Sequence, residues 1–485
     1  MHTLTIINGK TSYKVQFEGS PTVQQVLESA HITAPHPCGG NGRCGKCLIE
    51  VHGEISSPDE QELAFRHRLS CRTHLYGDAV VTLVSDTNLQ IETATEDLNP
   101  SIATNYRIGA AVDIGTTTVV LSVYDLRSGI CLASESMLNP QSTVAADVVG
   151  RISHALDGGL IGLQESICTC IRTLAQKSGY AEQIDKWCIT GNTTMLYLLR
   201  GLSPDTLAVA PFMTEHLFGE EIMFCEKPAY LPPCIHAFIG ADITCALLTA
   251  DIHESNETVL LCDLGTNGEI VLKKNGKYYA TSTAAGPVFE GYGISCGCQS
   301  VPGAIESIAI VNNTLQMKTI GDCPPVGLCG SGVIDAVACL LNLGFLDETG
   351  SMEEESFSFC DDISITRKDI SNVQLAKAAI AAGIRTLLEV TETSLDEIKT
   401  FYIAGGFGTH LNPDSAVRIG LFPRELKPIM QILGNAALKG AAMLLTDNNY
   451  SAKASEIVSH TTTINLGGNP KFNENYINEM FFPEP

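Results

Sequence analysis

Apolar and polar positions alternate over Leu4–Asn8 and again over Tyr13–Phe17, on either side of Asn8-Gly9-Lys10. A period of two predicts strands, and the Asn-Gly step predicts a tight hairpin between them. Pro21-Thr22 then opens a short helix with Val23, Val26 and Leu27 on one face. Further strands are predicted over Leu48–Val51 and Ala79–Val84. Pro37 to Cys47 has no period and is dense in glycine. From Ser85 to Tyr106 the pattern weakens into polar and turn residues, which predicts an exposed linker.

Beyond the linker, Ala111 to Leu121 reads as strand, tight turn and strand. Leu261 to Leu272 repeats that pattern 150 residues later. A repeat at this distance predicts a duplicated domain rather than a solenoid. The longest apolar run, Val373–Val390, contains Lys377 and Arg385 and predicts a packed helix rather than a membrane span.

A chain of 485 residues predicts two to four domains, each able to bury a core. Thirty Lys and Arg against 54 Asp and Glu give a formal charge of −24, which disfavours nucleic acid and anionic membrane as partners. The start, Met1 to Thr5, lacks a basic region followed by an apolar run, so a cytoplasmic protein is expected. In that compartment 18 cysteines predict metal ligation or free thiols rather than a disulfide framework.

The glycine-dense loop reads Pro37-Cys38-Gly39-Gly40-Asn41-Gly42-Arg43-Cys44-Gly45-Lys46-Cys47, and Leu69-Ser70-Cys71-Arg72 follows. The gaps between successive cysteines are five, two and 23 residues. An iron–sulfur cluster needs four thiolates on one small concave surface. Glycines let the backbone wrap closely and aim N–H groups at the sulfurs. Zinc is the alternative, but zinc sites usually pair two CxxC knuckles, and only one is present. The pattern therefore predicts a [2Fe–2S] cluster held by Cys38, Cys44, Cys47 and Cys71. This segment resembles the plant and adrenodoxin class of ferredoxins, with the five-residue first gap of the adrenodoxin type. The resemblance implies a β-grasp fold and a low-potential cluster.

The repeated hairpins carry phosphate chemistry. Gly115 and Gly265 permit close approach of backbone to phosphate. Thr116, Thr117 and Thr118, then Thr266, Asn267 and Gly268, supply hydroxyl, amide and backbone donors. Asp113 and Asp263 at the strand ends suit Mg²⁺ held through water. Thr190 to Met195, with Asn192 and Thr193, and Gly327 to Asp335, with Gly330, Ser331 and Gly332, each follow one hairpin and open a helix. Ile403 to Thr409 comes last, and Gly405, Gly406, Phe407 and Gly408 leave room for a base and ribose against bare backbone. In this order the segments resemble the ASKHA superfamily of acetate and sugar kinases, Hsp70 and actin. That resemblance spans residues 108 to about 470 and implies two ribonuclease-H-like lobes, about 108–255 and 256–470, closing on ATP.

The expected architecture is thus α+β and α/β. It comprises a ferredoxin-like domain over 1–85, a linker over 86–107, and a two-lobed ASKHA ATPase domain over 108–485. A ferredoxin-like module ahead of such an ATPase resembles the reductive activators of corrinoid proteins, as do the segments Ala284 to Gly297 and Pro302 to Ile305. Longer members have an extra middle domain, whereas here the linker runs almost directly into the first hairpin. The family uses ATP to return an inactive Co(II) corrinoid to Co(I) within methyltransferase systems. The implied partners are a corrinoid protein and a low-potential electron donor, with a homodimer left open. Four glycines between Gly286 and Gly297 suggest that this loop meets the corrinoid protein, with Ser295 near cobalt. The alternatives are an activator of 2-hydroxyacyl-CoA dehydratases, a small-molecule kinase with a redox-sensing cluster, and a scaffold without activity.

Overall fold

The computed structural model describes residues 2–8, 11–30, 32, 47–59, 62, 68–83, 97–98, 105–145, 147–212, 214–312, 314–360, 363–406, 410–447 and 449–484. Cys38, Cys44, Phe407 and Gly408 lie outside the described residues, as does most of the expected linker. The chain divides into two compact units, Met1–Leu89 with Pro140–Gly159, and Gln90–Asn139 with Leu160–Pro485.

In the first unit, β1 (His2–Asn8) and β2 (Thr11–Phe17) form the hairpin that alternation predicts, with Leu4 opposite Val15. β3 (Leu48–Ile55), β4 (Arg68–Leu69) and β5 (Leu75–Leu83) complete a mixed sheet of order β2-β1-β5-β3-β4. Leu75, Gly77, Ala79 and Val81 of β5 face inward and their neighbours face water. α1 (Val23–Ser29) begins at a reciprocal cap: the Gln25 N–H donates to Thr22 Oγ1, and the Thr22 N–H donates to Gln25 Oε1. Val23, Val26 and Leu27 then bury against Leu4, Ile6 and Val81, so one helix covers one face of the sheet.

The second unit is built on two six-stranded sheets. The first contains β6 (Ile108–Ile114), β7 (Thr118–Asp125), β8 (Cys131–Leu138), β9 (Lys186–Gly191), β10 (Glu220–Phe224) and β11 (Lys227–Leu231), in the order β10-β11-β9-β6-β7-β8. The second contains β12 (Thr258–Leu264), β13 (Gly268–Lys274) and β14 (Lys277–Thr283). β15 (Ala304–Val311), β16 (Thr314–Thr319) and β17 (Gly327–Leu328) form a small sheet, and β18 (Ser356–Cys360) pairs with β19 (Ile363–Thr366). β20 (Ile398–Ala404), β21 (Met430–Gly434) and β22 (Thr461–Thr463) rejoin the second large sheet, in the order β21-β20-β12-β13-β14-β22.

The two large sheets repeat one plan. Each has a central hairpin, β6–β7 or β12–β13, whose first strand lies parallel to a later one, β9 or β20. The sequence repeat is therefore a repeat of topology. Two helices extend the symmetry, α3 (Ala241–Thr249) after β11 and α6 (Ala436–Thr446) after β21; α2 (Thr193–Arg200) precedes α3, and α4 (Gly330–Leu343) and α5 (Arg367–Val390) lie between α3 and α6 in the chain. α3 and α6 press together so closely that a Cβ on Gly440 would lie 2.1 Å from the Cys245 carbonyl oxygen.

The apolar run Val373–Val390 is part of α5, and Lys377 is fully buried there, donating to the Phe481 carbonyl at 2.5 Å. Within the expected linker, Asp97 and Leu98 are docked rather than loose. The Leu98 N–H donates to the Gly129 carbonyl at 2.7 Å, and Asp97 Oδ1 accepts from the Cys131 N–H at 3.0 Å. Among the described residues no helix is long and apolar enough to cross a membrane, and the 16 described cysteines are free thiols.

Candidate functional site

In the first unit, Cys47 immediately precedes β3 and Cys71 sits in the turn after β4. Both are buried, and their sulfurs lie 3.2 Å apart. The Cys71 thiol pulls the Cys47 thiol down to about 6, against the opposing effect of burial. Two converging buried sulfurs, one readily ionised, fit thiolate ligation of a cluster. Cys38 and Cys44, the other expected ligands, fall outside the described residues.

The turn carrying Cys71 is framed by a residue that sequence reasoning missed. Glu62 is 2% exposed and accepts from Arg68 Nε at 3.0 Å, the Leu69 N–H at 3.0 Å and Thr73 Oγ1 at 2.7 Å. Burial opposes its ionisation, but these donors outweigh that and hold its carboxyl below the usual range. From the other side, the Gln24 N–H of α1 donates to the Ser70 carbonyl at 2.8 Å and Ser70 Oγ donates to Gln24 Oε1 at 2.7 Å.

In the second unit, the Gly115 N–H donates to the Thr118 carbonyl at 2.9 Å and the Gly265 N–H to the Asn267 carbonyl at 3.0 Å, closing the two hairpin turns. Asn192 caps α2 by accepting from the Met195 N–H, and its amide donates to Thr116 Oγ1 at 3.2 Å. Thr193 Oγ1 donates to the His236 carbonyl at 2.6 Å. Gly191 and Gly405 occupy equivalent places. A Cβ on Gly191 would lie 2.7 Å from the Ile114 carbonyl oxygen, and one on Gly405 would lie 2.6 Å from that of Leu264. Each therefore lets the parallel strand pass close behind its hairpin. The counterpart of Thr190–Thr194 is accordingly the Ala404–Gly406 turn, not the Gly327–Asp335 segment suggested by spacing. Gly406 faces open space.

Gly330, Ser331 and Gly332 are buried in packing. Ser331 Oγ donates to the Glu306 carbonyl at 2.7 Å, and a Cβ on Gly332 would lie 2.1 Å from the Ile305 carbonyl oxygen. Gly268 is likewise packed, with a Cβ there only 2.9 Å from Thr283 Oγ1.

Asp113 and Asp263 do not stand alone. Asp242, opening α3, and Glu269, just after the second turn, join them as half-buried acids. Burial pushes Asp113 up to about 8, reinforced by the charges of Asp242 and Asp263 and opposed by a hydrogen bond from Asn435. Burial and Asp242 push Asp263 up to about 7, burial pushes Asp242 up to about 6, and Glu269 is raised by burial, Asp242 and Asp263. Four carboxyls that resist joint ionisation fit a site awaiting a cation. Among the described residues no three His, Cys, Asp or Glu side chains come close enough to ligate a metal directly. No local signal marked Asp242: the corresponding helix start in the second half, Gly434-Asn435-Ala436, carries no acid.

The segment after β14 runs through this region. Glu290 accepts from Thr117 Oγ1 at 2.5 Å and from Thr266 Oγ1 at 2.7 Å, so it touches both hairpins. Ser295 is exposed, and both its N–H and its hydroxyl donate to Asp369, at 2.8 and 2.5 Å. Gly291 and Gly297 are dictated by packing of the loop on itself: a Cβ would lie 2.0 Å from the Cys298 carbonyl oxygen or 2.3 Å from that of Gly291. Gly286 and Gly293 have positive φ and open surroundings, which a turn requires.

Residues 6–76 match the 2Fe-2S iron-sulfur cluster binding domain, residues 108–255 the RACo middle region, and residues 257–485 the C-terminal domain of RACo, the ASKHA domain. Corrinoid activation enzyme RamQ of Eubacterium limosum is 33% identical over 417 residues, 77% of this chain and 70% of that protein. The Co(II) methylated amine-specific corrinoid protein reductase of Methanosarcina barkeri is 26% identical over 418 residues, 77% of each. A solved structure, reductive activator for corrinoid, iron-sulfur protein, covers 99% of this chain and is covered to 98%, with TM-score 0.71 and 26% identity. The match to the RACo middle region falls on residues 108–255, the span expected for the first ATPase lobe.

Proposed function

We propose that this chain, which belongs to the family of reductive activators of corrinoid proteins, uses ATP to drive one electron from its [2Fe–2S] cluster onto an inactive Co(II) corrinoid, giving Co(I). The partner is a corrinoid protein of a methyltransferase system in the cytoplasm, and an unidentified low-potential donor refills the cluster. A second copy of the chain is a candidate partner in a homodimer. The reading assigns a ferredoxin-like domain to 1–85, a linker to 86–107 and the ATPase to 108–485. The observation that carries it is the pairing of two buried, converging cysteine sulfurs in one unit with two equivalent phosphate-type hairpins around a cluster of acids in the other.

Each part of the site has a task. Cys38, Cys44, Cys47 and Cys71 hold the cluster, which when bound supplies a one-electron carrier of low potential. Glu62 fixes the turn that presents Cys71. Thr116, Thr117, Thr118, Thr266 and Asn267 offer donors to phosphate oxygens, and Gly115 and Gly265 let the backbone approach. Asp113 and Asp263 orient the water shell of Mg²⁺, with Asp242 and Glu269 adding charge behind them. Gly405 and Gly406, with Phe407 and Gly408, are assigned to the base and ribose. Ser295, exposed on the loop that also carries Glu290, lies on the face assigned to the corrinoid protein.

The test is reduction of a purified Co(II) corrinoid protein, followed by its visible spectrum, with a low-potential donor and with or without Mg–ATP. The expected result is Co(I) formation that needs both nucleotide and cluster. Equal reduction without ATP would defeat the coupling. ATP-dependent phosphorylation of a small acid or sugar would favour the kinase alternative instead.

A further inference from the structure

We infer that Glu290 is a stand-in for the terminal phosphate of bound ATP, and so the residue by which the site distinguishes nucleoside triphosphate from diphosphate. The inference rests on the nucleotide site proposed above. Thr266 is the counterpart of Thr116 in the repeated hairpins and Thr117 is the next residue along, and both Thr117 and Thr266 are expected phosphate donors. In the structure neither hydroxyl points to empty space. Both donate to one carboxylate, Thr117 to Oε2 at 2.5 Å and Thr266 to Oε1 at 2.7 Å. A carboxylate bound by two hydroxyls from opposite hairpins presents a negative charge and two acceptor oxygens, the features a phosphoryl group would present there.

Its placement is enforced by the backbone. Glu290 ends the 3₁₀ turn Pro287–Glu290, which lies between Gly286 and Gly291, both at positive φ. Gly291 is pressed against the Cys298 carbonyl. The far end of the loop is pinned to β17: the Cys298 N–H donates to the Leu328 carbonyl at 2.9 Å, and the Leu328 N–H donates to the Cys296 carbonyl at 2.8 Å. A triphosphate seating its terminal group between Thr117 and Thr266 must displace Glu290, both by occupancy and by like charge. Because Gly291 and Gly297 pack the loop on itself, the displacement is passed to residues 291–298, Ser295 among them. A diphosphate lacks the displacing group and leaves Glu290 in place.

Displacing two charge-assisted hydrogen bonds lowers the affinity for triphosphate in the parent protein. Glu290→Ala should therefore bind a non-hydrolysable ATP analogue about tenfold or more tightly than the parent, with ADP affinity changed little. Glu290→Gln, which keeps the size and one acceptor but loses the charge, should move the same way by less. Calorimetric titration of both nucleotides against full-length parent and variants, in Mg²⁺, reads this ratio. Hydrogen exchange gives an independent readout: the analogue should alter amides 291–298 in the parent, and Glu290→Ala should show that altered state without nucleotide. Equal weakening of both nucleotides in the two variants would make Glu290 an ordinary ligand or a structural residue and overturn the inference, as would an unchanged ratio. A parent that binds neither nucleotide would remove the proposed site itself, and the inference with it.

Discussion

Replacing Glu62 by Gln tests whether the cysteine pocket is set by a buried charge. The carboxylate is 1% exposed at its side chain and pairs with Arg68, itself 17% exposed, at 3.0 Å. It also accepts from the Leu69 N–H and Thr73 Oγ1, which bracket Cys71 in the chain. A glutamine could keep the acceptor facing Leu69 and Thr73. Its NH₂ would then replace Oε2, which accepts from the Asp59 N–H at 3.2 Å and Arg68 Nη2 at 3.3 Å, setting donor against donor. Breaking a buried ion pair costs about 3–5 kcal/mol, and the residual exposure of Arg68 places this one at about 3. In a unit of this size that lowers the midpoint by roughly 10 °C or more. The assay is thermal loss of the cluster's visible absorption in full-length protein, with iron content measured before heating. The pH dependence has a defined sign. The folded carboxyl is held below its ordinary value, so its stabilisation is present above about pH 4.5 and disappears as acidity passes through the folded value. The gap between parent and variant should narrow on acidification. Thr73→Val alone should cost about 1 kcal/mol, and less in the Glu62→Gln background, where the bond it removes ends on a neutral amide oxygen rather than a carboxylate. Identical cluster loss in parent and Glu62→Gln from about pH 4 to about pH 8 would refute the reasoning.

Four further outcomes rest on the same geometry, at Cys71, Asp263 and Gly440. Cys71→Ala should leave iron and sulfide well below the parent, since its sulfur is one of the two that converge at 3.2 Å; a full cluster in the variant, by iron and sulfide analysis, would reject that ligand. Asp263→Ala should lose ATP hydrolysis and keep the cluster. Asp263→Asn should gain stability over the nucleotide-free parent as pH rises from about 4 to about 7, because a carboxyl raised to about 7 in the fold ionises first in the unfolded chain and so favours unfolding across that window; calorimetry over it reads the slope. Gly440→Ala should destabilise by about 1–3 kcal/mol in chemical denaturation, because its Cβ would meet the Cys245 backbone carbonyl, which cannot swing aside.

Much of this was legible in the chain because it depends on local patterns. The β1–β2 hairpin, the Thr22 cap and the two repeated turns are each set by a few adjacent residues, and each lies where periodicity and turn chemistry put it. Gly327–Asp335 shows the limit of such patterns. Glycine density signals close approach, but not to what, and here the partner of Gly332 is the Ile305 carbonyl. Glu62, Asp242, Glu269 and Glu290 were missed because single acids carry no period. Their meaning lies in partners 11, 21, 24 or more residues away, such as Thr73, Asp263 and Thr266.

The arrangement also bears on how ATP could raise an electron's energy. Each 59 mV uphill in a one-electron step costs about 1.4 kcal/mol. A tenfold difference in affinity between two states supplies about the same amount. A nucleotide can therefore drive the transfer only by changing how tightly the protein holds its partner, not merely by binding. Five acids, Asp113, Asp242, Asp263, Glu269 and Glu290, lie around the two hairpins, and four of them carry raised carboxyl values. On the proposed reading, such a cleft has one preferred charge state empty and another once a nucleotide fills it. Glu290 is the member of that set on a loop that continues to an exposed surface, five residues before Ser295. A change of charge in the cleft thus has a covalent route to the face assigned to the corrinoid protein. A site whose acids all sat within strands would have had none.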